Sequence, residues 1–255
     1  MQKQKNSPQK IYDHIIIGSG IAGLTLANLL GRQGKSVLVL EKNDHVGGRA
    51  SYFETNGYFF DMGPSWFMQL DVWEQTFKLF DVDIHQELDL VPLSPGYRVF
   101  DAGSDRKFYD VPTGDMDKMY DLFEDLEPGS SDKLKPWIDA AKEKYELGFD
   151  LFMYRNYSGL RDFFNLDLVD RGKNLKNLGD LVKSVHTVVK REFDSPELIK
   201  ILEYVLIFIG SDPKNTPSLY TLMNYIDFAG GVYYPQGGYY ELIKLYKKIG
   251  EQYGV

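Results

Sequence analysis

Hydrophobic and polar positions follow two rhythms along this chain. Near the start, short apolar runs of strand length are punctuated by glycine. Residues 15–17 (Ile-Ile-Ile) form one such run, suited to a parallel strand buried on both faces. Helical spacing over residues 22–32 follows, and residues 36–40 give a second strand ending on Glu41. Residues 51–54 and 58–60 flank Thr55-Asn56-Gly57 and predict a hairpin. A short helix is expected over 71–80, and a second hairpin over 97–100 and 107–111. Helical periodicity then dominates, over 115–126, 132–154, 181–193 with Asp180 placed to cap it, and 196–209. Asp194 with Glu197 offers that last helix a capping box, Pro196 fits its first turn, and Asp212-Pro213 stops it. Residues 231–238 read as a strand running into a further glycine turn, and a helix over 239–252 follows.

The pattern predicts an α/β chain. Residues 1–10 form a polar, disordered tail, and residues 11–69 with 229–255 form a discontinuous Rossmann-like domain. Residues 70–228 form a mostly helical insertion carrying a small β-hairpin. Two confidently placed parallel strands are too few for a doubly wound sheet, so the chain is expected to be the N-terminal part of a longer protein.

The glycines carry the first chemistry. Gly18, Gly20 and Gly23 give G-x-G-x-x-G between a strand and a helix. In that context the first glycine permits the tight turn, the second lets backbone approach a pyrophosphate, and the third lets helix and strand pack closely. Ser19, Ile21 and Ala22 complete the loop, and the helix start points its N–H groups at the phosphate. Glu41, followed by Lys42, can accept hydrogen bonds from ribose hydroxyls; a 2′-phosphate there would meet a like charge, which disfavours NADP. Gly47, Gly48 and Arg49 supply another bare backbone patch, which FAD, with its diphosphate and ribityl chain lying further along the sheet edge, needs and a nicotinamide cofactor does not. Gly63, Pro64 and Ser65 read either as an ordinary turn or as a second close approach to the cofactor, and Gly237 and Gly238 as a third bare-glycine turn.

Composition narrows the classes. The chain has 255 residues, 43% hydrophobic and 26% charged, which is globular. A formal charge of −8 argues against a nucleic-acid partner. With no cysteine, a disulfide redox centre and a thiolate metal site are excluded, and the four histidines lack ligand spacing, so no metal is expected. No signal peptide is visible, and the most apolar later segment, 201–210, is about half the ~20 residues a spanning helix needs. The expected location is cytoplasmic.

Glu41 with His45-Val46-Gly47-Gly48-Arg49 resembles the second FAD fingerprint of the flavoprotein superfamily that holds amine oxidases and carotenoid desaturases, with His45 where a basic residue is usual. More narrowly, GYFFDMGPSWF (57–67), PLSPGYRVF (92–100), LFEDLEPGS (122–130), GSDPKNTPSLYTLMNY (210–225) and GGVYYPQGG (230–238) together resemble bacterial phytoene desaturases, over nearly the whole chain from His14. Such enzymes are roughly twice this length. The resemblance implies FAD as cofactor, a long apolar C40 polyene such as phytoene as substrate, and hydride transfer to flavin. It implies that Arg161 and Asp162 serve acid-base work, Asp162 as base or charge stabiliser; a structural ion pair is the alternative. Aromatics such as Phe149, Phe152, Tyr154, Phe163, Phe164, Tyr204, Phe208 and Tyr220 line a substrate pocket on this reading, or fill a core. A water-insoluble substrate implies peripheral contact with the inner face of the cell membrane. Two other readings stay open: an amine or protoporphyrinogen oxidase of the same superfamily, and a non-catalytic binder of prenylated partners.

Overall fold

The structure, a computed structural model, describes residues 10–100, 107–149, 153 and 183–255. Helices dominate, and the strands pair only in twos among the described residues. The chain divides into two compact units, one comprising Met1–Val91 and Tyr233–Val255, the other Pro92–Val232.

In the first unit β1 (His14–Ile17) pairs in parallel with β2 (Val37–Leu40), His14 opposite Val37 and Ile17 opposite Leu40. Helix α1 (Ile21–Arg32) connects them. Its end is set by Gly34 in the left-handed region (φ +76°), where the N–H of Gly34 donates to Gly31 and that of Lys35 to Leu30 (2.8 and 3.1 Å), satisfying two last-turn carbonyls. Strands β3 (Tyr52–Thr55) and β4 (Tyr58–Asp61) form the expected hairpin. Asn56 and Gly57 both have positive φ, the two-residue turn whose twist matches the strands.

Burial of β1 on both faces is not found. Ile15 is 60% and Ile17 88% exposed. Helix α1 covers the opposite face, where Ile16 approaches Gly23 and Val37 is buried. Among the described residues β1 has β2 as its strand neighbour and no second layer over Ile15 and Ile17.

The core of this unit forms around the helix Tyr240–Gln252, whose Leu242, Ile243, Tyr246 and Ile249 are buried at helical spacing. Residues 70–91, which the pattern grouped with the insertion, pack here instead. Phe77 of α2 (Leu70–Lys78), Phe80, and Ile84 of α3 (Ile84–Glu87) join the cluster with Leu24 and Tyr246. The Asn28 side-chain amide, inside α1 and buried, donates to the Tyr246 carbonyl at 2.9 Å, so its polarity is met. Strands β5 (Leu90–Pro92) and β8 (Tyr233–Pro235) pair beside this core.

In the second unit β6 (Tyr97–Phe100) and β7 (Phe108–Val111) form the second hairpin, with Arg98 opposite Asp110 in a two-bond pair of 2.6 and 2.8 Å. Helices α4 (Met116–Leu126) and α5 (Ser130–Gly148) follow, then Val185–Glu192 and Pro196–Tyr204. The caps differ from expectation. Ser184 accepts the Thr187 N–H (3.2 Å) and caps Val185–Glu192, while Asp180 and the start predicted at 181 lie outside the described residues. Ser195, not Asp194, caps the next helix by accepting the Leu198 N–H, because Pro196 with its fixed φ occupies the first helical position and leaves 195 as the cap. That helix ends at Tyr204 and tightens into a 3₁₀ turn over Val205–Ile209. Phe123, Phe193, Trp137 and Phe228 meet edge to face at the centre.

Asp227 is fully buried on a π-helical turn, Tyr225–Ala229. Its Oδ2 accepts the Tyr97 hydroxyl at 2.6 Å, and its Oδ1 has no partner among the described residues. Burial pushes its pKa up to about 7 against the single opposing hydrogen bond from Tyr97. The folded state therefore holds this proton more tightly than the unfolded chain. Stability from this group is full below about 3.8, falls as pH rises, and is gone above about 7. At ~1.4 kcal/mol per pH unit the loss is of order 4 kcal/mol at most. The stability of the parent minus that of Asp227→Asn, from denaturant unfolding, is expected to fall between pH values of about 4.5 and 7.5. A pH-independent difference would contradict the buried neutral acid.

Candidate cofactor-binding site

The end of β1 turns at Gly18 (φ +101°), whose N–H donates to the Leu40 carbonyl at 2.7 Å and so ties the turn to β2. Gly20 caps α1 with extended backbone (φ −69°, ψ 174°) and no side-chain cap, and the first helical turn contains no acid. Its first N–H groups and dipole end are thus left to an anion. The second glycine pair comes directly onto this loop. The Gly47 N–H donates to the Ser19 carbonyl at 2.9 Å, and Gly20 and Gly47 form a parallel bridge.

Adding a Cβ to each glycine separates the reasons for them. At Gly23 it would lie 2.1 Å from the Gly18 carbonyl oxygen, at Gly47 2.6 Å from the Ala50 oxygen, and at Gly48 3.0 Å from the Gly20 Cα. These three are demanded by backbone packing within the protein. At Gly20 an added Cβ meets nothing within 4 Å, and the backbone conformation suits any residue. Among the described residues neither packing nor backbone strain accounts for that glycine.

Glu41 closes the loop from a third side. Its Oε2 accepts the Ser19 hydroxyl (2.6 Å) and the Ser19 N–H (2.9 Å), and its Oε1 the N–H groups of Lys42 (2.9 Å) and Asn43 (3.0 Å). The Ser19 hydroxyl, then the Ser19 and Asn43 amides, draw its pKa down to about 2. Arg49 is exposed, and its side chain has no hydrogen-bond or ion-pair partner among the described residues. Ile21 and Ala22 lie at the start of α1, with Ala22 exposed, and Lys42 is exposed beyond Glu41.

The remaining turns are packed more by protein. Gly63 lies against Arg49, where a Cβ would meet the Arg49 carbonyl oxygen at 2.1 Å, and Pro64 and Ser65 beside it are exposed. Gly237 and Gly238 have φ of +97° and +106°, and a Cβ on Gly238 would press on Phe59 at 2.7 Å. The residue organising that turn is Asp61, absent from the sequence-based set: it accepts the Tyr239 N–H (3.0 Å) and the Tyr234 hydroxyl (3.1 Å). An acid ending a predicted strand just before Gly63-Pro64 was its available signal. His45 contacts the Ser51 hydroxyl and packs against Tyr52 with the two rings tilted. Arg161 and Asp162 lie outside the described residues, as do Phe152, Tyr154, Phe163 and Phe164. Tyr204 stacks on Tyr97 at 4.7 Å, and Phe149 meets Tyr145 at 4.4 Å with the rings tilted. Among the described residues no cluster of His, Cys, Asp or Glu is placed to hold a metal, and no helix is long and apolar enough to cross a membrane.

A parallel strand-helix-strand with an open glycine loop, an acid ending the second strand and a second glycine pair on the first loop defines a dinucleotide-binding protein of the flavin type. The sequence model of the family described as flavin containing amine oxidoreductase matches residues 21–251, and the chain belongs to that family. The cofactor this family implies is FAD. The chain is 38% identical over 244 residues to a carotenoid 3,4-desaturase of Haloarcula japonica, covering 95% of this chain and 48% of that protein. It is 31% identical over 240 residues to a 4,4′-diapophytoene desaturase (4,4′-diaponeurosporene-forming) of Staphylococcus aureus, covering 94% and 46%. The chain thus spans about half the length of these relatives. Among solved structures a Rab GDI of Plasmodium falciparum matches with a TM-score of 0.57 and 16% identity over 95% of this chain and 56% of that one, a likeness of fold alone.

Two variants test the division among the glycines. Gly23→Val is expected to destabilise the fold strongly, since backbone meets its side chain; Gly20→Val is expected to melt within a few degrees of the parent. Equal losses in thermal melting would remove the distinction. Glu41→Gln is expected to lower the melting temperature at neutral pH, with the difference closing as pH falls from about 4.5 towards 2, because a depressed carboxylate contributes above its unfolded value and loses that contribution through its folded one.

Proposed function

We propose that the full-length protein is an FAD-dependent desaturase acting on a carotenoid-class polyene such as phytoene. The observation that carries the cofactor reading is Gly20, whose bare backbone nothing among the described residues requires. The carotenoid reading is supported by the names of the two relatives, both desaturases of that class. On this reading β1, α1 and β2 are the first strands and helix of a Rossmann-like FAD domain. The unit Pro92–Val232 belongs to the substrate domain, and the rest of the enzyme covers Ile15 and Ile17.

The chemistry that bound FAD would supply is acceptance of a hydride from the polyene. The chain's own residues would hold the cofactor: the amides of the Gly18–Gly23 loop and the α1 start would bind the pyrophosphate, Glu41 the ribose, and Gly47, Gly48 and Arg49 the diphosphate from the second turn. Arg161 and Asp162 are proposed to handle the proton lost beside the hydride, Asp162 accepting it. An apolar substrate brings the enzyme to the inner face of the cell membrane as a peripheral protein. The likeness to a Rab GDI is one of fold and gives the non-catalytic reading no further support.

Expression of the full-length gene in a phytoene-accumulating host is expected to yield a red-shifted polyene absorption. Colourless cells with soluble, flavin-loaded enzyme would overturn the substrate. In the purified full-length protein Gly20→Val is expected to abolish flavin retention while the fold survives, and Glu41→Ala to weaken FAD binding at least roughly tenfold, read by flavin fluorescence. Full occupancy in Gly20→Val would refute the site.

A further inference from the structure

Glu41 is the proposed ribose acceptor, yet its acceptor positions are already filled. A carboxylate offers about four lone-pair sites. Here two donors meet each oxygen: the Ser19 hydroxyl and N–H on Oε2, and the Lys42 and Asn43 N–H groups on Oε1. Three of these donors are backbone and withdraw only if the chain moves. The fourth, the Ser19 hydroxyl, withdraws by turning about a single side-chain bond.

We propose that Ser19 is a displaceable positioning residue: its hydroxyl holds Glu41 and closes the glycine loop onto the end of β2, and a cofactor ribose hydroxyl takes its place on Oε2. This rests on the reading of Glu41 as ribose acceptor and adds a sign to it. A loop serine beside a pyrophosphate would ordinarily be counted as an aid to binding. The geometry makes its hydroxyl a competitor, because the bond to the carboxylate must break before the ribose bond forms. Loop order and cofactor affinity therefore trade against each other at one atom. The N–H of Ser19 takes no part in the exchange and keeps the loop attached to Glu41 in both states.

The test is FAD titration of the flavin-stripped full-length protein by fluorescence, with thermal melting of the stripped protein alongside. Ser19→Ala is expected to bind FAD roughly two- to tenfold more tightly and to melt lower by roughly 2–4 °C when stripped. Ser19→Gly, which removes the hydroxyl together with the Cβ and loosens the backbone, is expected to show the same sign of affinity change, so that the gain does not depend on the alanine methyl. In a Glu41→Gln background the gain from Ser19→Ala is expected to vanish, since the competition runs through the carboxylate. Weaker or unchanged FAD binding in Ser19→Ala overturns the proposal, as does a gain that persists with Glu41→Gln. If the parent itself fails to bind FAD, the cofactor reading falls first and this one with it. If the parent binds and only the serine variants behave otherwise, this one falls alone.

Discussion

The contact that the candidate site depends on is backbone against backbone. The second glycine turn donates from Gly47 to the Ser19 carbonyl and lies so close that a side chain on Gly48 would reach the Gly20 Cα at 3.0 Å. That approach fixes where the open start of α1, Arg49 and the loop amides stand relative to one another. Glu41 adds the third anchor by bonding Ser19 from the end of β2, and Gly23 lets α1 sit down on the Gly18 carbonyl. Three separate stretches of sequence thus meet through hydrogen bonds and absent side chains. Such a surface suits an extended, charged, hydroxyl-rich ligand and offers little to an apolar one.

What was legible beforehand follows the range of the physical cause. Asn56-Gly57 sets a hairpin by its own φ angles, and Pro196 marks a first helical turn by its ring, so both were readable within a few residues. The glycine loop was readable for the same reason: close packing leaves a trace in residue type. Long-range causes left none. Ile15 and Ile17 read as doubly buried, but burial depends on which layers arrive, and among the described residues one face has none. Residues 70–91 look like part of the insertion until Phe77 and Ile84 meet the helix Tyr240–Gln252. Asp61 and Asp227 carry little local sign of their roles in sequence; one organises the turn at Gly238, and the other is buried beside Tyr97.

The two units carry their polarity differently. In the first, a carboxylate with its acceptor positions filled is held ionised far below the usual range by Ser19 and neighbouring amides. In the second, a carboxyl with one hydrogen bond and no cation beside it among the described residues is pushed towards neutrality by burial. The same functional group thus reads as a fixed hydrogen-bond acceptor in one setting and as a proton holder in the other.

The most direct measurement of the central claim is amide hydrogen exchange in the full-length protein with and without FAD. If the two glycine turns form one site, exchange slows at the amides of Gly20 to Ala22 and of Gly47 to Arg49 together, and both groups saturate at the same FAD concentration. Protection confined to one turn in a protein that retains FAD, or two turns saturating at different concentrations, would contradict it.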